Sequence, residues 1–243
     1  PANGFAAAAH SMLLMSTGQV RRSLASLDEQ AARQPLSPNI QFRRVYTLWS
    51  VGRVGEAEAT AQRAIQAWPK HPAVWFARLW LFAFTGETGR AQAMLADAGA
   101  RPPMPPPAAE LLALSLDALA RPASPLVDRA IAANIAAAGR GPAQAISAIL
   151  VLSGLGAGGA ALDVARGFLA QRGAVLVTPR HSEKQPSVTD QHHRMTMMLW
   201  IPVTAALRRE LGFAALCRDI GLETYWRRAG VRPDPSVWQP QTV

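Results

Sequence analysis

Cysteine is almost absent from this chain of 243 residues, where Cys217 stands alone. One thiol excludes an internal disulfide framework and a cysteine-rich metal site, and leaves the compartment open. Long apolar runs are missing too: hydrophobic residues make up 49 % of the sequence, yet none of their runs reaches the roughly 18–20 residues a membrane span needs. The apolar stretch GFAAAAHSMLLM near the start lacks the basic segment that opens a signal peptide. Acidic residues are scarce, 16 against 25 basic ones, for a net charge of +9. The basic residues form no dense run, only pairs such as Arg21–Arg22, Arg43–Arg44, Arg208–Arg209 and Arg227–Arg228. Such scatter fits solvated helix faces better than a nucleic-acid surface, so a basic nucleic-acid scaffold is the less favoured reading.

Catalytic signatures are also lacking. No G-x-S-x-G elbow is present. His181, Ser182 and Glu183 are neighbours in sequence, whereas triads are assembled by the fold. His181, His192 and His193 share a polar stretch with Glu183 and Asp190, but without the helical histidine spacing of a metal site. Cys217 sits in the apolar series Phe213, Ala214, Leu216 and Ile220, which reads as a buried residue and not a reactive thiolate. No catalytic residue, metal or cofactor is assigned, and the chain is expected not to be an enzyme. A cytoplasmic location is expected. Because the chain begins at Pro1 rather than methionine, a longer parent protein is expected as well.

What the sequence does contain is a period. Gly18, Gly52 and Gly86 are each 34 residues apart, and so are Pro35, Pro69 and Pro103. Three blocks follow: 4–37, 38–71 and 72–105. The third carries Trp75, Leu79, Phe82, Gly86, Ala91, Leu95, Ala98 and Pro103 at repeat positions 4, 8, 11, 15, 20, 24, 27 and 32. The second keeps Leu48, Gly52, Ala57, Ala64 and Pro69, and the first keeps Leu14, Gly18, Leu27 and Pro35. A helix can end at each glycine, which takes backbone conformations other residues resist. The small alanine lets a second helix pack closely, and proline closes the unit because it cannot continue a helix. One helix pair cannot bury its own apolar face, so neighbours must stack.

This series resembles the tetratricopeptide repeat. The resemblance implies an all-α, right-handed α-solenoid whose first helices line a concave groove through repeat positions 2, 5, 9, 12 and 13. Carried onto this chain, those positions include Phe5, Met12 and Met15, then Asn39, Phe42, Tyr46 and Trp49, then Phe76, Trp80 and Phe84, with Arg43 beside them. Exposed groove positions are usually polar, and this row is aromatic and rich in methionine, so something is expected to cover it. A peptide or protein partner is the first candidate. The chain's own tail or Pro-rich segment, packing between repeats, and a small apolar ligand are the others.

The Pro-rich stretch 101-RPPMPPP-107 interrupts the array. Allowing two extra residues there, the phase resumes at Ala108 and again at Pro142, giving two degenerate helix pairs within 106–175 and about five pairs in all. The fifth contains SGLGAGGAALDVARG, in which Gly154, Gly156 and Gly159 spell the G-x-G-x-x-G of a dinucleotide-binding turn. The rival assignment is a dinucleotide-dependent enzyme, with Val175–Val177 as the next strand and Arg180 near a phosphate. At the 34-residue period, however, Gly156 falls on the turn glycine and Ala161 on the packing alanine. Helix rather than strand is therefore expected before Gly154.

Residues 176–196 read as a polar loop and 197–243 as a C-terminal helical cap. The cap carries Leu199–Trp200, Pro202, Leu207–Arg208, Gly212–Phe213, Leu216, Gly221–Leu222, Tyr225–Trp226, Gly230 and Pro233–Asp234. This series resembles the tail of bacterial regulators in which tetratricopeptide arrays accompany a winged-helix activator or an adenylate cyclase domain. The resemblance implies the regulatory part of a signalling or transcription protein. Trp200, Phe213, Leu216, Tyr225 and Trp226 are expected to form the core of the cap rather than a ligand site.

Overall fold

In the computed structural model, which describes residues 2–177 and 195–238, every regular element is helical. The first ten are α1 (Ala2–Ser16), α2 (Val20–Arg33), α3 (Pro38–Ser50), α4 (Val54–Ala67), α5 (Pro72–Phe84), α6 (Thr88–Ala96), α7 (Pro106–Ala120), α8 (Leu126–Ala138), α9 (Pro142–Gly154) and α10 (Gly158–Ala165). The all-α expectation holds. The strand imagined at Val175–Val177 is irregular chain, and no strand occurs among the described residues.

The helices begin and end where local chemistry dictates. α3, α5, α7 and α9 each open on a proline at the first turn, where its missing N–H would have no helical acceptor in any case. Pro38, Pro72 and Pro106 are 34 residues apart, so α7 keeps the phase that was expected to slip by two residues and resume at Ala108. The slip comes later: α7 has 15 residues where α3 and α5 have 13, and residues 121–125 make a longer turn. A proline at the first turn tolerates further prolines before it, so RPPMPPP delays nothing.

Four of the inter-helix turns are the same object. Gly18, Gly52, Gly86 and Gly156 have φ of 78°, 83°, 91° and 79°, the left-handed region that penalises any Cβ. After each glycine the next N–H donates five residues back: Gln19 to Leu14 O at 2.9 Å, Arg53 to Leu48 O at 2.9 Å, Glu87 to Phe82 O at 3.0 Å and Ala157 to Leu152 O at 2.9 Å. This bond satisfies a carbonyl that the helix end would otherwise orphan. Four residues after each donor, the N–H of Ser23, Ala57, Ala91 or Ala161 returns to the donor's own carbonyl and starts the second helix. All four side chains at that position are fully buried, as the expected close approach requires. Gly156 is thus the turn glycine of a repeat, and α9, a helix, precedes Gly154 at its end.

The chain divides into two compact units, residues 2–15 with 19–126, and 16–18 with 127–238 of the described chain. In the first, each helix packs on the next, from α2 on α3 through α6 on α7, and α3 also packs on α5. Its core is Leu24, Leu27, Val45, Leu48, Trp75, Leu79 and Leu81, with the small Ala57, Ala61, Ala64 and Ala91 from the second helices. Burying each large side chain contributes about 1.5–3 kcal/mol. Polar links tie neighbouring helices at the rim: Arg44 to Asp28 at 2.7 Å, Arg90 to Glu58 at 2.6 Å, and Gln92 Nε2 to Asp117 Oδ1 at 2.7 Å. Being half exposed, they set register more than they stabilise.

In the second unit α9 packs on α10, which ends in a π-helical turn at Arg166–Ala170. Gly167 there leaves room for the carbonyl of Val175 to press against its Cα, where a Cβ would collide. Two 3₁₀ turns, Met195–Trp200 and Pro202–Thr204, lead into α11 (Ala205–Arg208), α12 (Phe213–Asp219) and α13 (Leu222–Ala229). Trp200 lies 6.0 Å from both Phe213 and Trp226, and Trp238 joins all three at 5.2–6.4 Å. Trp200, Phe213 and Trp226 are buried, as is Leu216, while Trp238 and Tyr225 are only half-buried. This aromatic core grips the main chain of residues 16–18. Thr196 Oγ1 and Trp200 Nε1 donate to Ser16 O at 2.7 and 3.0 Å, Trp226 Nε1 to Thr17 O at 2.9 Å, and the Asp234 N–H to Gly18 O at 2.9 Å.

Candidate functional site

The aromatic row falls on the helices that the period assigns it to. On α5, Phe76, Trp80 and Phe84 are spaced i, i+4, i+8, which places them on one face. Their rings run as a ladder: Phe76–Trp80 at 6.2 Å and 28°, Trp80–Phe84 at 5.5 Å and 19°. Trp49 from α3 extends it, stacking on Phe84 at 6.2 Å and 11°. On α3 the same spacing brings Phe42 edge-on to Tyr46 at 6.5 Å, with the Arg43 guanidinium 5.6 Å from the Phe42 ring. Of the residues named from sequence, Trp49, Phe76, Trp80 and Phe84 thus form one ladder, and Phe42, Tyr46 and Arg43 a second group; Phe5, Met12, Met15 and Asn39 join neither ring series.

They differ in what they leave open. Trp49 and Trp80 are each only 3 % exposed, and Met15 is equally buried, with Thr47 Oγ1 at 3.9 Å from its sulfur. These three serve packing between repeats more than contact with anything outside. Met12, Phe42, Arg43, Tyr46, Phe76 and Phe84 are half-buried, and Asn39 is exposed. Phe5 lies in α1, but its side chain is outside those described. The histidines His181, His192 and His193, with Ser182, Glu183, Asp190 and Arg180, also lie outside the described residues.

The electrostatics are those of a desolvated surface. Burial pushes the Tyr46 phenol well above its ordinary pKa and pulls the Arg43 guanidinium below its own. Two neighbouring hydroxyls are satisfied within α3: Thr47 Oγ1 donates to Arg43 O and Ser50 Oγ to Tyr46 O, both at 2.8 Å. What the row can do is stack and exclude water; it presents no nucleophile.

The glycine-rich turn lacks the preceding strand of a dinucleotide-binding turn. A helix precedes it, and the carboxylate of Glu210 approaches the Cα of Gly158 at the start of α10. Cys217 is buried, and its thiol is pushed up to about 12 by burial and by Glu223, against a small opposing pull from Arg218.

The roles of several residues escaped the sequence reading. Arg208 is buried, and its Nη1 donates to Leu199 O at 2.6 Å, Ile201 O at 3.0 Å and Thr204 Oγ1 at 2.7 Å. Burial, then Arg209, lowers its pKa to about 10, which leaves it charged at neutral pH. Trp238 completes the aromatic core of the tail. A second cluster, Arg78, Phe82 and Arg90, lies on the far side of α5 from the ladder; the i, i+4 spacing of Arg78 and Phe82 was its only visible signal.

Comparison with protein-family models, curated proteins and solved structures returns no match. No helix among the described residues is long and apolar enough to cross a membrane.

Proposed function

We propose that this chain is a non-enzymatic recognition module, a right-handed tetratricopeptide-like solenoid that holds a peptide or protein partner against the aromatic face of α3 and α5. The observation that carries this reading is the half-exposed set Phe42, Tyr46, Phe76 and Phe84, backed by the fully buried Trp49 and Trp80. Buried rings fix the position of the open ones, so the face is pre-organised and little side-chain entropy is lost on docking. Aromatic anchors of this kind suit an amphipathic helix or an extended apolar peptide. The regulatory part of a bacterial signalling or transcription protein, working in the cytoplasm, is the setting that the tail series supports.

The test is site-specific photo-cross-linking. A benzophenone side chain at position 42 or 76 is expected to capture a defined partner, and one at the exposed Arg63 of α4 is not. The double variant Phe42→Ala, Phe76→Ala should lose that capture while keeping its helical circular dichroism. Equal capture at all three positions, or none at any, refutes the proposal. A second reading, that the row only packs repeat on repeat, is favoured by the burial of Trp49 and Trp80. It predicts that the double variant loses stability and no partner.

A further inference from the structure

A cavity of about 410 Å³ opens between α4, α5 and α6, lined chiefly by Ile65, Trp75, Arg78, Phe82, Arg90 and Met94. It lies on the side of α5 turned away from Phe76, Trp80 and Phe84, since Arg78 and Phe82 each follow a ladder residue by two positions, about 200° around the helix. Its size falls within the ordinary range for small-molecule sites.

The cavity carries an imbalance of charge. Both guanidiniums lean on one ring: Arg90 Cζ is 3.9 Å and Arg78 Cζ is 5.1 Å from the centre of Phe82. Arg90 pairs with Glu58 at 2.6 Å. Arg78 forms no ion pair among the described residues; its Nη2 donates to the neutral amide of Gln62. Its Nε is closed off from solvent and has no hydrogen-bond partner. The one carboxylate in the lining, Asp97, is turned to its own loop, where Oδ1 accepts from the N–H groups of Gly99 at 3.1 Å and Ala100 at 3.0 Å. Burial and the nearby positive charge of Arg90 both disfavour the protonated Arg78, with Glu58 only partly compensating. A buried donor on a charged group without an acceptor is rare in folded proteins, and it marks how little of the Arg78 charge the protein itself compensates.

We propose that this cavity binds a small organic carboxylate, its anionic head taken by Arg78 with Arg90 beside it and its apolar body laid along Trp75, Phe82, Ile65 and Met94. A planar carboxylate suits the exposed end of a guanidinium, gives Arg78 the counter-charge that no ion pair supplies, and offsets the repulsion between the two arginines. An apolar body is required because the remaining wall offers mainly carbon. The site is separate from the partner-binding face and stands or falls independently of it.

The experiment is calorimetric titration of the purified chain with 4-phenylbutyrate and, in parallel, with 4-phenylbutyramide, which has the same shape without the charge. The acid should bind saturably with a Kd of about 0.1–1 mM, and the amide at least about tenfold more weakly. Arg78→Met, which keeps the packing of the stem, should abolish the preference for the acid with its melting temperature unchanged or raised. Arg90→Gln should weaken binding of the acid several-fold. Equal binding of acid and amide, no binding of either at about 10 mM, or an undiminished preference in Arg78→Met overturns the proposal. So does tighter binding of N-acetyl-Phe-Glu-amide than of the free acid, which would assign the site to a protein-borne carboxylate.

Discussion

Substituting alanine at the turn glycines separates backbone strain from steric conflict. Gly18 and Gly156 have φ of 78° and 79°, in turns with the same hydrogen bonds and in the same compact unit. Holding an alanine in the left-handed region costs about 1–2 kcal/mol at either. A Cβ at Gly156 would meet nothing within 4 Å, so strain is the whole cost there. At Gly18 it would stand 2.8 Å from Pro233 Cβ and 3.3 Å from both Pro233 Cα and Trp200 Cδ2. Neither ring can swing away: Trp200 is fully buried and bonded to Ser16 O, and Pro233 precedes the residue whose N–H is bonded to Gly18 O. Overpacking of this kind adds about 1–3 kcal/mol. Gly18→Ala should therefore destabilise by about 2–5 kcal/mol and Gly156→Ala by about 1–2. Urea unfolding gives the totals, and the reaction rate of Cys217 with a thiol reagent gives the opening of the second unit alone. Adding Pro233→Gly completes a double-mutant cycle, in which the extra term at Gly18 should shrink and the strain term should not. If the two alanine variants agree within about 0.5 kcal/mol, the tail does not grip the turn as described.

Arg208→Met should destabilise the second unit by about 1–3 kcal/mol, because Leu199 O and Thr204 Oγ1 lose this donor, while Ile201 O still accepts from Thr204 Oγ1 at 2.8 Å; Cys217 labelling accelerated by less than about fivefold contradicts this. Cys217 itself should resist thiol reagents in the native protein and react at once in denaturant. Its folded pKa is raised from 9.0 to about 12, so the unfolded chain loses its proton first and stability should fall as pH rises between those values. Cys217→Ala should make that fall shallower, by up to about 1.4 kcal/mol per pH unit, and an unchanged slope would exclude the thiol as its cause. Trp80→Ala should cost about 3–5 kcal/mol in urea, whereas Phe76→Ala, half-buried on the same face, should cost visibly less.

The parts of this fold that could be read from sequence are those in which a single residue type is forced by local backbone geometry. A positive φ selects glycine, and a first-turn position tolerates proline. The spacing of these residues therefore located helix ends, including the one at Gly156 that a dinucleotide motif imitates. Side-chain environment was harder to read, because the helical period states which way a residue faces and not how far the next helix extends over it. Trp49 and Phe84 illustrate this: both are groove positions by register, yet the stack between α3 and α5 buries the first and leaves the second half open. Arg208 was named in the tail series, but its buried role was invisible for a related reason. Its acceptors are carbonyls freed by two 3₁₀ turns, and nothing in the residue names 199–204 announces where those turns fall. The same holds for Arg78, whose want of an acidic partner depends on Glu58 choosing Arg90 and on Asp97 turning back to its own loop. Functional chemistry in a helical repeat thus lies in the pairing of side chains across repeats, one level above the period. A test of site function must therefore change the pairing, as Arg78→Met and Phe42→Ala with Phe76→Ala do, and leave the turn glycines intact.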